Sequence, residues 1–315
     1  MSTVAFVFPG QGCQGVGMGK ELSDCFPEAR EVFQAADDAL GESLSRLCFE
    51  GPEERLRLTA NTQPAILTVS IAAFAVLAKR VPLPAAACGH SLGEYSALVA
   101  AGALGVRDAV RAVRERGQLM QQAVPEGVGA MAAVLGLAPE VVKSICEQVA
   151  DGQVLAPANY NSPEQTVIAG HAEAVARAEP KLKQAGAKRV LPLAVSAPFH
   201  CALMDPVKPR LAEILRGIQF KGLKFPVISN VEAAANDDRD RVVPLLIEQV
   251  SRPVRWTDCV RELERLGIKT VVEVGPGKVL SGLVKRISKS FSVLNVEDRK
   301  TVEQFLDPAR AYERI

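Results

Sequence analysis

Gly89-His90-Ser91-Leu92-Gly93 follows the apolar stretch Ala85-Ala86-Ala87-Cys88 and runs straight into a helix-forming segment, Glu94 to Ala101. This is G-x-S-x-G between a strand and a helix, the context in which the pattern has chemical meaning. A strand that turns sharply into a helix lifts the central hydroxyl out of the sheet, and the flanking glycines leave room for backbone and for an incoming acyl group. The helix N-terminus supplies amide donors and a positive dipole end suited to a developing oxyanion. Ser91 is therefore the first candidate for a nucleophile. The plainer alternative is a chance match in a glycine-bearing turn.

Working outward, short β-branched runs alternate with amphipathic helical runs, which predicts an α/β architecture with a mainly parallel sheet. Strands are expected at Val4–Phe8, Ala85–Cys88, Pro226–Ser229 and Thr270–Val274, with a helix over 107–122. Pro64 to Ala78 reads as a buried helix with Pro64 near its first turn. The segment 127–195 has its own rhythm. Strands at 130–135, 154–159, 166–169 and 189–194 and helices at 139–150 and 172–184 give the order βαββαβ of a ferredoxin-like unit. Because strand–helix alternation resumes afterwards, this small domain is expected as an insertion between 1–126 and 196–315. The charge cluster 236–241 reads as a solvated loop.

The 315 residues, 48% hydrophobic and 23% charged, suit one large domain with a small one. A formal charge of +1 argues against binding nucleic acid by phosphate neutralisation. Seven cysteines without a C-x-x-C pair indicate neither a metal site nor a disulfide framework, so a reducing compartment is expected. The apolar run Val4–Phe8 is too short for a signal or a span, and a cytoplasmic chain with no membrane partner is expected.

A serine nucleophile needs a base, and the chain has three histidines. His90 adjoins the serine and should point elsewhere; His171 falls in a turn of the small domain. His200 ends the loop 196–200, stiffened by Pro198, and is the candidate by elimination. A structural histidine is the alternative. Gly10-Gln11-Gly12-Cys13-Gln14-Gly15 matches the dinucleotide pattern G-x-G-x-x-G, but Glu28 and Glu31 lie on a helix rather than at the end of a second strand. The rival role for this loop is to complete an oxyanion hole with a backbone N–H. Gly275-Pro276-Gly277-Lys278 lacks the spacing and the hydroxyl of a phosphate loop and is rejected as a nucleotide site. Arg116 shares a helix face with Met120; it is either an exposed arginine with a packed stem or a two-pronged carboxylate clamp.

These segments are joined by Phe6-Val7-Phe8-Pro9-Gly10-Gln11-Gly12, Arg116-Gly117-Gln118-Leu119-Met120, Ala197-Pro198-Phe199-His200-Cys201-Ala202-Leu203-Met204, Glu248-Gln249-Val250 before Pro253-Val254-Arg255-Trp256, and Glu273-Val274-Gly275-Pro276-Gly277. Together with Gly89–Glu94, and in this order, they resemble malonyl-CoA:acyl-carrier-protein transacylases. The resemblance implies an α/β-hydrolase-like core carrying the ferredoxin-like insertion. It implies Ser91 as the acylated nucleophile, His200 as its base, and Gln249 as the orienter of His200 through a main-chain carbonyl. The N–H groups of Gln11 and Leu92 are implied as the oxyanion hole, and Arg116 as the partner of the malonyl carboxylate. Asn161, Gln63 and Met120 are implied as pocket residues, and Phe199 as the bulk that favours malonyl over methylmalonyl. Cys13 departs from the family loop, which commonly has serine there.

The implied activity is transfer of malonyl from malonyl-CoA to the phosphopantetheine thiol of an acyl carrier protein, through a malonyl-serine and ping-pong kinetics. No permanently bound cofactor is implied, and a stand-alone monomer is expected. Candidate surfaces for an acidic carrier are Lys181, Lys183, Lys188 and Arg189, and Lys285, Arg286 and Lys289. A serine hydrolase would need an acid between serine and histidine on a late strand, and neither Asp108 nor Asp151 fits. A polyketide acyltransferase, a dehydrogenase using Gly10–Gly15, and a non-catalytic carrier-binding subunit are the remaining alternatives.

Overall fold

A computed structural model describes residues 3–195 and 197–307. Ser196, which begins the loop carrying His200 and one expected domain boundary, lies outside the described residues, as do both chain ends. Among the described residues ten strands form two sheets. In chain order they are β1 (Val4–Phe8), β2 (Ala86–Gly89), β3 (Gly129–Leu135), β4 (Leu155–Ser162), β5 (Gln165–His171), β6 (Arg189–Pro192), β7 (Val227–Ile228), β8 (Ala235–Asn236), β9 (Thr270–Val274) and β10 (Ser292–Val296).

The larger sheet has the order β10-β9-β1-β2-β7-β8 and is parallel except for the β7–β8 hairpin edge. Its central strands are buried along nearly their whole length and mostly apolar, with Thr270 and Glu273 of β9 as the polar exceptions. β1 and β2 run side by side, with Phe8 opposite Gly89. Their carboxyl ends meet at one point of the sheet edge, where ligands of open parallel sheets bind. β3 to β6 form the second, antiparallel sheet, order β4-β5-β3-β6, with helices Pro139–Val149 and Ala172–Gln184 on one face. The two sheets are tied where β4 bridges the segment before helix Trp256–Arg265. There Tyr160 N–H donates to the Val254 carbonyl, and Val254 N–H to that of Ala158, each at 2.9 Å.

Two expectations need correction. Pro64 is not near the first turn: the helix runs from Thr59 to Ala78, with Pro64 inside it. The Leu58 carbonyl takes two amides, from Asn61 and Thr62, so the helix begins in a polar stretch that no apolar periodicity marks. By length and composition this helix could cross a membrane, but 83% of its apolar window is buried within the protein. The cluster 236–241 is not a loop. Asn236 closes β8, and Asp238 caps helix Arg239–Gln249 by accepting the Asp240 N–H at 2.9 Å.

Candidate active site

Ser91 stands between β2 and helix Leu92–Ala100 with φ 52° and ψ −105°, a conformation that non-glycine residues rarely hold. Close packing enforces it. A Cβ on Gly89 would lie 1.9 Å from the Gly93 carbonyl carbon, and one on Gly93 would lie 2.0 Å from the Phe8 carbonyl oxygen. The elbow thus presses against the end of β1, and the loop holding Gln11 is carried to its side. Leu92 is the first residue of its helix, where an amide has no intrahelical acceptor. Gln11 and Leu92 both border the same cavity as Ser91.

His200 also has positive φ, 60°, and is 4% exposed. Its Nε2 is 2.7 Å from Ser91 Oγ, and its Nδ1 is 2.8 Å from the Gln249 main-chain carbonyl. A carbonyl accepts only, so Nδ1 carries the proton and Nε2 is left as the acceptor for the serine O–H. Burial, followed by the charge of Arg116, pushes the His200 pKa down to about 3. The ring is therefore a neutral base at any pH near neutrality.

Arg116 is 1% exposed, which rules out the surface reading. Its Nη2 donates to Ser91 Oγ at 3.1 Å and to Gln249 Oε1 at 2.8 Å; its Nη1 donates to Gln63 Oε1 at 2.7 Å. The guanidinium lies over the Tyr95 ring, 5.5 Å from the centroid. Helix Val106–Gln122 reaches this position because Gly117 packs on the start of the Thr59–Ala78 helix, where a Cβ would sit 2.7 Å from the Thr59 carbonyl oxygen. A cavity of about 110 Å³ opens beside the serine, walled by Gln63, Arg116, Met120 and Phe199 among others. An arginine at the end of a small, otherwise largely apolar cavity suits a short acyl group with a terminal carboxylate.

Asn161 stands apart from this cavity. It lines a neighbouring cleft of about 390 Å³ and meets His90 Nε2 at 2.8 Å. His90 and Gln11 border both spaces, and Lys278 and Arg286 flank the outer cleft. The Gln11 side chain turns to Thr59 Oγ1 at 3.2 Å. Cys13 borders the cleft, donates to the Gly10 carbonyl, and is held as a thiol by burial. A cavity of about 650 Å³ near Leu215–Phe220 holds no nucleophile–base pair.

Among the residues of the site that escaped the reading of the sequence, three are polar. Asn159 lines the acyl cavity from β4. Asn230 accepts the Ser91 N–H at 2.7 Å and donates to the Gly89 carbonyl at 2.7 Å. Glu94, 3% exposed, accepts the Asn230 N–H and the Gln249 amide through one oxygen, Oε2, and burial raises its pKa to about 7. The spacing of Ser91 and Glu94 is that of a capping box, a signal in the sequence that could have pointed to the glutamate.

The acyl transferase domain family matches residues 5–305. The malonyl CoA-acyl carrier protein transacylase of Escherichia coli (strain K12) is 50% identical over 288 residues, 91% of this chain and 93% of that one. A crystal structure of an acyl carrier protein S-malonyltransferase from Vibrio cholerae superposes with TM-score 0.95 at 46% identity, covering 96% of this chain and all of that one. A type II PKS acyl-carrier protein in complex with its malonyl-transacylase gives 0.94 at 47% identity, with 96% and 98% covered. With Ser91, His200 and a buried guanidinium gathered in one place, and relatives of this identity along nearly its whole length, the chain belongs to the acyl transferase domain family.

Proposed function

We propose that the protein transfers malonyl from malonyl-CoA to the phosphopantetheine thiol of an acyl carrier protein through a malonyl ester on Ser91, supplying fatty-acid elongation. One observation carries this reading: Ser91 Oγ lies 2.7 Å from His200 Nε2 and 3.1 Å from Arg116 Nη2, so nucleophile, base and carboxylate clamp share one point. His200 takes the Ser91 proton as Oγ attacks the thioester carbonyl. The Gln11 and Leu92 amides receive the oxyanion, and CoA leaves as the thiol, taking the proton from His200. The carrier thiol then gives its proton to His200, attacks the ester and restores Ser91. Arg116, held by Gln63 and Gln249, pairs with the malonyl carboxylate. Met120 and Phe199 close the acyl cavity and disfavour a branched group, while Asn161 acts from the outer cleft through His90.

The strand order β4-β5-β3-β6 supports a ferredoxin-like insertion, 127–195, in an α/β-hydrolase-like core of 1–126 and 196–315. The reading needs no resident cofactor, and a cytoplasmic monomer is proposed, a setting with which seven unpaired cysteines agree. Intact-mass analysis after brief exposure to malonyl-CoA tests the core of it. A malonyl-sized adduct on the wild type, absent from Ser91→Ala and transferable to a phosphopantetheinylated carrier, is expected. Free malonate without an adduct would mean that water is the acceptor.

A further inference from the structure

We infer that Glu94 is a positioning residue for acyl selectivity: its carboxylate decides which end of the Gln249 side-chain amide faces Arg116. The inference rests on the malonyl-transfer reading, in which Arg116 recognises the acyl carboxylate.

The two ends of a glutamine amide have nearly the same shape and opposite hydrogen-bonding character, so their neighbours choose the orientation. At Gln249, which is fully buried, Nε2 donates to Glu94 Oε2 at 2.8 Å and to the Ser91 carbonyl at 2.9 Å. That leaves Oε1 toward Arg116 Nη2 at 2.8 Å. The opposite orientation would set an amide N–H₂ against a guanidinium and a carbonyl against a carboxylate, four groups mismatched away from water. The Ser91 carbonyl favours the same orientation but is a neutral acceptor, and Asn230 Oδ1 lies farther off at 3.5 Å, so the acidic Glu94 oxygen is the strongest of the three acceptors. The other half of the guanidinium cradle has no such lock: Gln63 Nε2 meets only the Met120 sulfur, 3.9 Å away and a weak acceptor. The same Glu94 oxygen accepts the Asn230 N–H at 3.0 Å, and the Asn230 side chain holds the Ser91 N–H. One carboxylate oxygen therefore ties the seat of the nucleophile to the seat of the clamp.

Glu94→Gln is the direct test, because glutamine can offer N–H₂ to Gln249 and permit the reversed amide. The readout is the ratio of kcat/KM for malonyl-CoA to that for acetyl-CoA, measured on the full chain with a holo carrier protein. Wild type, Glu94→Gln, Glu94→Asp and Arg116→Ala are compared. Glu94→Gln is expected to lower the ratio about tenfold, the scale of one hydrogen bond to a charged group. Glu94→Asp, which still only accepts, is expected to keep the ratio even where kcat falls. An unchanged ratio in Glu94→Gln, or equal loss in the glutamine and aspartate variants, overturns the inference. If Arg116→Ala keeps the wild-type ratio, the clamp reading itself fails; a ratio lost in Arg116→Ala but kept in Glu94→Gln refutes the Glu94 role alone. Should Glu94→Gln not fold, Gln249→Met carries the same test, since deleting the amide must lower the ratio as releasing it does; an unchanged ratio there refutes the role.

Discussion

His200 is buried against a permanent cation, yet in the proposed mechanism it takes a proton once per half-reaction. Its depressed pKa has a consequence for stability as well as for catalysis. The unfolded chain binds a proton at this residue below about 6.5, while the native chain does so only near 3, so in that interval the unfolded state is favoured as pH falls. The wild type should therefore lose stability relative to His200→Asn as pH is lowered from 6.5 toward 3, with a constant difference above 6.5. Asparagine is chosen because it tolerates the positive φ of this position. Urea titrations of both proteins across that range check the sign; parallel curves would refute the buried neutral base. At Arg116 the lysine variant keeps the charge and loses the fork. Arg116→Lys should lower kcat/KM for malonyl-CoA by about tenfold or more while leaving acetyl-CoA nearly unaffected, read in a steady-state assay.

The position of each element near the site follows from a few close approaches. Gly117 lets two helices touch at Thr59, and Gly117→Ala should cost about 1–3 kcal/mol in urea unfolding while also reducing malonyl preference, because it pushes Arg116 from Gln63. If stability drops and preference holds, the packing does not position the clamp. The strand–elbow–helix unit was legible in the residues alone, since Gly89, Ser91 and Gly93 carry local requirements. The βαββαβ order was legible too, each strand falling within a few residues of its expected place. Arg116 was not: apolar spacing puts it beside Met120 but cannot distinguish an exposed stem from a buried guanidinium, and only the fold shows that it is buried. Asn230 and Glu94 were missed because their partners lie 136 to 155 residues away along the chain. A capping-box glutamate looks locally satisfied; here it bonds across the fold instead. Helix Arg239–Gln249 was hidden for the opposite reason, its charged start resembling a loop although Asp238 caps it.

At the scale of the whole molecule, two neighbouring spaces share the walls of Gln11 and His90. The acyl cavity lies inside, the outer cleft carries Lys278 and Arg286 at its flank, and Arg286 reaches across to Gln165 on β5 at 3.3 Å. A phosphate-bearing arm on an acidic carrier would meet this face first. Arg286→Glu should raise KM for the carrier, with the effect shrinking as salt is added, in steady-state kinetics at two ionic strengths. No change at low salt would place the docking face elsewhere. β7 falls inside the strand expected at 226–229, but the short edge strand β8 and the late strand β10 were not foreseen, because two- and five-residue segments give too little alternation to read. The backbone carbonyl behind His200 has a further meaning. A dipole steadies the charged imidazole less than a full carboxylate would, so the dyad is a modest proton carrier. Thiols are acidic enough to depart with little help, whereas amines and alkoxides are not. The centre is thereby matched to trading one thioester for another of nearly equal energy, and it should run as readily backward as forward. Direction is then left to whichever later reaction consumes the loaded carrier.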